Sequence, residues 1–463
     1  MRVVFVHGWS VTHTDTYGEL PEALAQSAAA LGLDLDIRHL WLGRYVSFHD
    51  EVTLDDIARG FDRALRELPA NPDGGIAPFS CITHSTGGPV VRHWLDRYYG
   101  AGGMAGLPLS HLVMLAPANH GSSLAVLGKA RVGRLKAWFD GVEPGQRVLD
   151  WLCLGSAGQW QLNRNGLELD GPGHGFYPFV LTGQGIDEKF YDFLNNYLKE
   201  PGSDGVVRVS GANLNYRFFS LHQGKRILRK APLTFALEAD PVRLAPPAPL
   251  RVYEGYSHSG TRKGIMASIR AAAGLGQPVV QDILDCLRVA SAQQYEHLRT
   301  AFAALTNVTQ SEASRKDPRR GRFSMLVFRV RDDRGNLFAR DDFEILLLSG
   351  RNYQPGAMPD GFLRDRQINP ATNNLVFYLD YEKIAQIADG QFGIRVVARP
   401  ASGFASYRPA EYRSEGARLT DILAPNETTY VDICLTRNVD ANTFRFDRGD
   451  APRTSFKHIR PSE

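Results

Sequence analysis

Residues 79–91 read Phe-Ser-Cys-Ile-Thr-His-Ser-Thr-Gly-Gly-Pro-Val-Val, and this stretch constrains the fold more than any other part of the chain. Phe79 to Thr83 has the character of a short buried strand, and Gly87 to Tyr98 has that of the helix after it. Ser85 stands at the apex of the sharp turn between them. A strand that runs through a serine into a helix forms a nucleophile elbow. The turn imposes an unfavourable backbone conformation on the serine, so the residues two positions away have to be small. Gly87 meets that demand, but Thr83 stands where the common pattern has glycine. The helix also points its N-terminus at the serine, which favours developing negative charge there. The simpler alternative is an ordinary helix cap by Ser85, so the case depends on context.

The context is an alternation of strands and helices. Arg2 to Val6 is a short β-branched run ending in His7-Gly8-Trp9. Leu20 to Leu31 has helical spacing, Asp34 to Leu42 suits a second strand, and Leu54, Ile57, Phe61 and Leu65 fall on one face of a helix capped near Thr53. His111 to Ala116 and Tyr177 to Thr182 suit two further strands. This rhythm predicts an α/β fold with a mostly parallel sheet covered on both faces. Two long stretches, 121–175 and 216–251, interrupt it and are expected to be lid insertions. The first mixes Trp138, Trp151 and Trp160 with Lys129, Arg131, Arg134 and Lys136, which suits an apolar lid with a basic rim, or simply a packed cap with solvated charges. Gln281 to Leu305 reads as helical.

A serine hydroxyl is a poor nucleophile at neutral pH and needs a base, which in turn needs an acid to orient it. Downstream of Ser85, Gly202-Ser203-Asp204-Gly205-Val206-Val207 places Asp204 in a tight turn before a β-branched run. Tyr256-Ser257-His258-Ser259-Gly260 places His258 in a loop. Asp187 is a rival acid, and His222 and His120 are rival bases. His222 reads as surface, His120 as structural or part of the pocket floor, and His84 as pointing away from the nucleophile.

With these segments, the chain resembles the α/β-hydrolase superfamily, in particular lipases and phospholipases. The resemblance covers roughly residues 1–275, and the Thr-His-Ser-Thr-Gly-Gly, Ser-Asp-Gly-Val-Val and Ser-His-Ser-Gly segments also look like bacterial lipase effectors of type VI secretion. It implies a catalytic triad of Ser85, Asp204 and His258 in the chain order Ser, Asp, His. It also implies an oxyanion hole made by the backbone N–H groups of Trp9 and Thr86. The implied reaction is hydrolysis of carboxylic esters in lipid-like substrates through an acyl-enzyme, with no cofactor. Two alternatives are a lipid acyltransferase and a binding protein whose C-terminal part docks a membrane or secretion partner.

The remainder is expected to divide into a hydrolase domain 1–306, a linker 307–321, a β-rich domain 322–440 and a tail 441–463. Alternating runs at Arg322 to Val330, Phe343 to Leu348, Asn374 to Leu379, Phe392 to Ala398 and Tyr430 to Leu435 predict a largely antiparallel, sandwich-like β domain for the third part. That domain is a candidate surface for a protein partner. Asp332, Asp333, Asp341 and Asp342 read as ordinary turn acids rather than a calcium loop. A net charge of +3 over 463 residues gives no electrostatic case for nucleic acid. The four cysteines are scattered, so buried thiols are expected rather than a metal site or a disulfide framework. The N-terminal apolar run is too short for a signal peptide, and no segment reaches the roughly 18 apolar residues of a membrane span. The expectation is a chain made in the cytoplasm, with peripheral membrane contact or export without a cleaved signal left open.

Overall fold

The computed structural model describes residues 1–7, 17–44, 49–68, 75–125, 145–185, 200–387, 391–400, 405–414 and 419–439. The tail expected at 441–463 lies outside these residues, as does 126–144 of the first insertion.

In chain order the first strands and helices are β1 (Arg2–His7), α1 (Leu20–Ala30), β2 (Asp36–Trp41), α2 (Leu54–Glu67), β3 (Phe79–His84), α3 (Gly87–Tyr98), β4 (Leu109–Leu115) and β5 (Tyr177–Gly183). After β5 come β6 (Tyr216–Lys230), β7 (Leu233–Ala239), β8 (Arg243–Leu244) and β9 (Leu250–Tyr253). Six of these strands form an all-parallel sheet in the order β2-β1-β3-β4-β5-β9. Such a sheet must be covered on both faces, and alternate residues of β1 show how. Val4 and Val6 join one core with Phe61, Val90 and Trp94, while Val3 and Phe5 join another with Leu24, Ile265 and Ile283. From β1 the sheet grows one way to β2 and the other way to β3, so the crevice at the carboxyl ends of β1 and β3 is the topological switch point, where ligands bind in open α/β sheets.

Local chemistry fixes the elements around that point. Thr53 and Asp56 form a reciprocal cap on α2: the Asp56 N–H donates to Thr53 Oγ1 at 3.2 Å and the Thr53 N–H to the Asp56 carboxylate at 3.0 Å. Thr53→Ala is expected to cost about 1 kcal/mol in a denaturant titration. At Gly88 any Cβ would come within 2.9 Å of Pro117 and 3.1 Å of Met114, so only glycine lets α3 lie this close to β4.

The rest of the chain builds a second sheet from β10 (Phe323–Asp332), β11 (Phe343–Ser349), β12 (Gln354–Pro355), β13 (Leu363–Ile368), β14 (Leu375–Asp380), β15 (Phe392–Ala398), β17 (Ala410–Arg413) and β18 (Thr428–Leu435). The short strands β16 (Ala405–Ser406) and β19 (Asn438–Val439) pair only with each other. The order is β12-β11-β15-β17-β7-β6-β18-β10-β14-β13, with β8 against β6. The sheet curls on itself: Phe328 and Phe377 share one core with Ile345, Ile394 and Ile433. Alternate residues of β10 face opposite ways, with Leu326 and Phe328 in this core and Met325 and Val327 against Leu154 and Trp160.

Two expectations need correction here. Residues 216–251 are not a lid: β6 and β7 lie in the middle of the second sheet, where β6 pairs in parallel with β18 and β7 with β17. These pairings and β10 against β18 are parallel, so the sheet is mixed, while its other described pairings are antiparallel as expected. Residues 307–321 are not an extended linker, because a helix runs over Ala292–Lys316 and a short 3-10 turn over Pro318–Arg320. The described part of the 121–175 insertion packs between the sheets: Trp160, on the helix Ala157–Gly166, meets Phe218 and Tyr430 edge-on.

One ionic cluster within the second sheet yields a prediction. The buried Glu411 carboxylate accepts from Arg229 at 3.1 Å, Arg395 at 2.9 Å and Arg413 at 2.7 Å. Burial raises its pKa, but the hydrogen bonds from the three arginines outweigh burial and hold it below the ordinary glutamate value. Its contribution is therefore present above the unfolded-state pKa and lost as pH falls through the lower folded-state value. Glu411→Gln leaves three guanidiniums without their anion and is expected to cost on the order of 3 kcal/mol at neutral pH. The deficit should shrink in acid, as denaturant titrations at two pH values would show.

Cys81, Cys153 and Cys286 are buried. Among the described residues no helix is long and apolar enough to cross a membrane.

Candidate active site

The elbow is built as its sequence demands. Ser85 takes a φ of 53°, the left-handed region that a residue with a side chain rarely occupies. Its N–H donates to Leu115 O at 3.0 Å, which ties the turn to β4. A Cβ on Gly87 would come within 3.2 Å of Thr83 Cβ. Thr83 therefore fits the near side of the turn only because the far side is glycine. Its buried hydroxyl finds no hydrogen-bond partner among the described residues.

Two distant loops reach the serine hydroxyl. His258 Nε2 lies 3.0 Å from Ser85 Oγ, and its Nδ1 lies 2.9 Å from Asp204 Oδ2. Asp204 is fully buried and His258 nearly so. The other carboxylate oxygen, Oδ1, accepts the N–H groups of Val206 at 2.9 Å and Val207 at 2.7 Å. Asp204 thus has one oxygen bound to its own loop and one left for the imidazole. With Nδ1–H donating to Asp204, Nε2 carries the lone pair toward Ser85, as a base requires. The His258 N–H also donates to Asp204 O at 3.0 Å, so backbone and side chain register the two loops together. Gly264 closes the His258 loop, because a Cβ there would meet Gly260 O at 2.4 Å.

No family model matches the chain, and no curated protein matches it. Among solved structures, the phospholipase PlaB from Legionella pneumophila is 43% identical, with 98% of this chain and 97% of that chain covered and a TM-score of 0.87. The same phospholipase in complex with thio-NAD is 42% identical, with 98% of each chain covered and a TM-score of 0.85. The chain belongs to the family of phospholipase PlaB. It is therefore a carboxylic ester hydrolase on an α/β-hydrolase fold, and the likeness runs through the second sheet as well as the first.

The other candidate residues fall away from the serine. His120 is buried, with Nδ1 2.8 Å from the Tyr430 hydroxyl and Nε2 2.8 Å from Asn213 O. Burial first, and Arg92 second, push its pKa down to about 3, so it is a neutral strut between the sheets. His222 lies at the surface with Nε2 2.9 Å from Asp240. Asp187, Trp9 and Gly8 lie outside the described residues, so only one of the two expected oxyanion donors has a position here. That donor, the Thr86 N–H, stands at the start of α3 and makes no hydrogen bond among the described residues. Among these residues no cluster of His, Cys, Asp or Glu could hold a metal.

His84 does not point away as expected. Its ring packs against His258 with centroids 4.7 Å apart, and its Nε2 lies 3.0 Å from His258 O. Burial, and then the neighbouring His258, push its pKa down to about 3. It is therefore neutral, with Nε2–H donating to that carbonyl. His84→Ala is expected to reduce kcat several-fold by loosening the His258 loop, with KM on a soluble ester little changed. An unaltered kcat would remove it from the site.

An apolar pocket lies elsewhere, between α3, the helix Ala157–Gly166 and residues 245–248. Leu95, Leu162, Phe176 and Leu214 line it, and Ser85 does not.

Proposed function

We propose that this chain hydrolyses the acyl esters of phospholipids, with Ser85 as nucleophile, His258 as general base and Asp204 as the acid that orients it. The supporting observation is the unbroken chain of contacts from Ser85 Oγ through His258 to Asp204, at 3.0 and 2.9 Å, with Ser85 held at positive φ. In the first half-reaction Ser85 Oγ attacks the ester carbonyl carbon while His258 Nε2 takes the hydroxyl proton. The Thr86 N–H, with that of Trp9 as second donor, stabilises the tetrahedral oxyanion. The C–O bond to the alcohol breaks as His258 returns the proton to the leaving oxygen. Water then attacks the acyl-enzyme by the same route and releases the fatty acid.

The phospholipid assignment rests on the relationship to PlaB and on charge beside the nucleophile's base. Arg262 and Lys263 are exposed in the loop that follows His258, where a lipid surface with anionic headgroups would meet them. Vesicles of phosphatidylcholine and of phosphatidylglycerol, incubated in ¹⁸O water and read by mass spectrometry, test this. The expected result is release of free fatty acid carrying one ¹⁸O, faster from the anionic vesicles. Acyl groups recovered only on another alcohol would make the protein a transferase, and no release from either vesicle would overturn the substrate assignment.

A further inference from the structure

The loop that carries Asp204 is gripped by the second sheet. Residues 200–208 fold back on themselves, with Ser203 bridged to Arg208 and the Val209 N–H donating to Gly202 O at 2.9 Å. The Arg208 side chain, 1% exposed, reaches from this loop to the second sheet. Its guanidinium pairs with Glu200 of the same loop and, at 2.5 Å, with Asp365 on β13. It lies 4.0 Å from the ring centre of Tyr378 on β14. Burial works against the charge, but Glu200, Tyr378 and Asp365 together outweigh it and hold the Arg208 pKa above the ordinary arginine value.

Two further contacts close the grip. The Tyr378 hydroxyl donates to Pro201 O at 2.8 Å. Gly202, at a φ of 66°, has Phe323 so close that a Cβ would meet its ring at 2.3 Å. Asp204 Oδ1 is committed to amides of its own loop, so the carboxylate cannot turn independently of the loop. Where the loop sits therefore decides whether Oδ2 reaches His258.

We propose that the second sheet is a working part of the catalytic apparatus, acting through Arg208. The Arg208–Asp365 pair and the packing on Tyr378 hold loop 200–208 where Asp204 meets His258 Nδ1, which makes Arg208, Asp365 and Tyr378 positioning residues. The inference rests on the triad assigned above. It gives the β domain a task in the reaction itself, beyond any partner it docks.

Asp365 is the residue to change, because its side chain is one-third exposed and its removal empties no core. The full chain is compared as wild type, Asp365→Ala, Asp365→Asn, Asp204→Asn and the double variant Asp204→Asn/Asp365→Ala. Each is assayed on p-nitrophenyl butyrate, with its unfolding temperature measured in parallel. Glu411→Gln is the control, since it breaks an ion cluster in the same sheet but several strands away from β13.

Asp365→Ala is expected to lower kcat by about 10- to 100-fold with KM within twofold, because a displaced orienting group acts on turnover. Asp365→Asn, which keeps an acceptor, should lose less. Glu411→Gln should unfold at lower temperature yet keep its kcat below that temperature. In the Asp204→Asn background, Asp365→Ala should cost nothing further, since the path through Asp204 is already cut. A wild-type kcat in both Asp365 variants would overturn the inference. So would a fall in kcat that follows unfolding temperature across Asp365 and Glu411 variants alike, or full additivity with Asp204→Asn. The triad assignment fails separately, by an active Asp204→Asn.

Discussion

Ser85→Ala is expected to reduce turnover of any ester by roughly 10⁴- to 10⁶-fold while leaving the unfolding temperature within a degree or two of wild type. The size follows from the division of labour in a serine site: without the hydroxyl no acyl-enzyme forms, and only oxyanion donors and binding remain. The small structural effect follows from what Ser85 does for the fold. Its backbone, at φ 53°, carries the strain of the turn, and alanine inherits the same strain. Its hydroxyl contacts His258 at 3.0 Å, and that imidazole remains tied to Asp204 when the hydroxyl is gone. Steady-state assays and thermal melts on the purified variant test both halves. Activity within tenfold of wild type would leave the nucleophile unassigned.

Asp204→Asn is the second large effect, and its cause is a tautomer. The amide has nearly the shape of the carboxylate and can keep its oxygen on the Val206 and Val207 N–H groups. It then presents NH₂ to His258 Nδ1, which has to accept. The imidazole proton moves to Nε2, facing Ser85, and the ring can no longer take the hydroxyl proton. By analogy with other serine triads, kcat should fall by about 10⁴-fold with folding preserved. A pre-steady-state burst that keeps its wild-type rate in this variant would mean that Asp204 is not the orienting acid.

The candidate site was legible in the sequence because its requirements are local. An elbow needs small residues at fixed offsets around the serine, and Gly87 is there. A rigid acid needs a tight turn, and Gly202 and Gly205, both at positive φ, bracket Asp204. What was misread depends on pairings that no window contains. β6 has basic residues at its exposed end and read as part of a lid, yet Tyr216 to His222 pair with Thr428 to Cys434. The helix Ala292–Lys316 was cut short in the reading because its buried stripe turns polar. Tyr295 and Phe302 are followed on the same face by Thr306 and Gln310. Thr306 donates to Leu250 O, and Gln310 exchanges hydrogen bonds with Asn426. Polar residues that satisfy neighbouring backbone and amides leave no hydrophobic period to follow. The contact between His84 and His258 spans 174 positions and likewise has no local signal.

The most direct measurement is covalent labelling with a fluorophosphonate, followed by peptide mapping. A serine activated by an imidazole, with an amide donor for the oxyanion, should react within minutes in the intact protein. The adduct should lie on Ser85 alone, vanish in Ser85→Ala and form far more slowly in His258→Ala. A wild-type protein that stays unlabelled while folded, or an adduct that persists on another serine when Ser85 is replaced, would contradict the account.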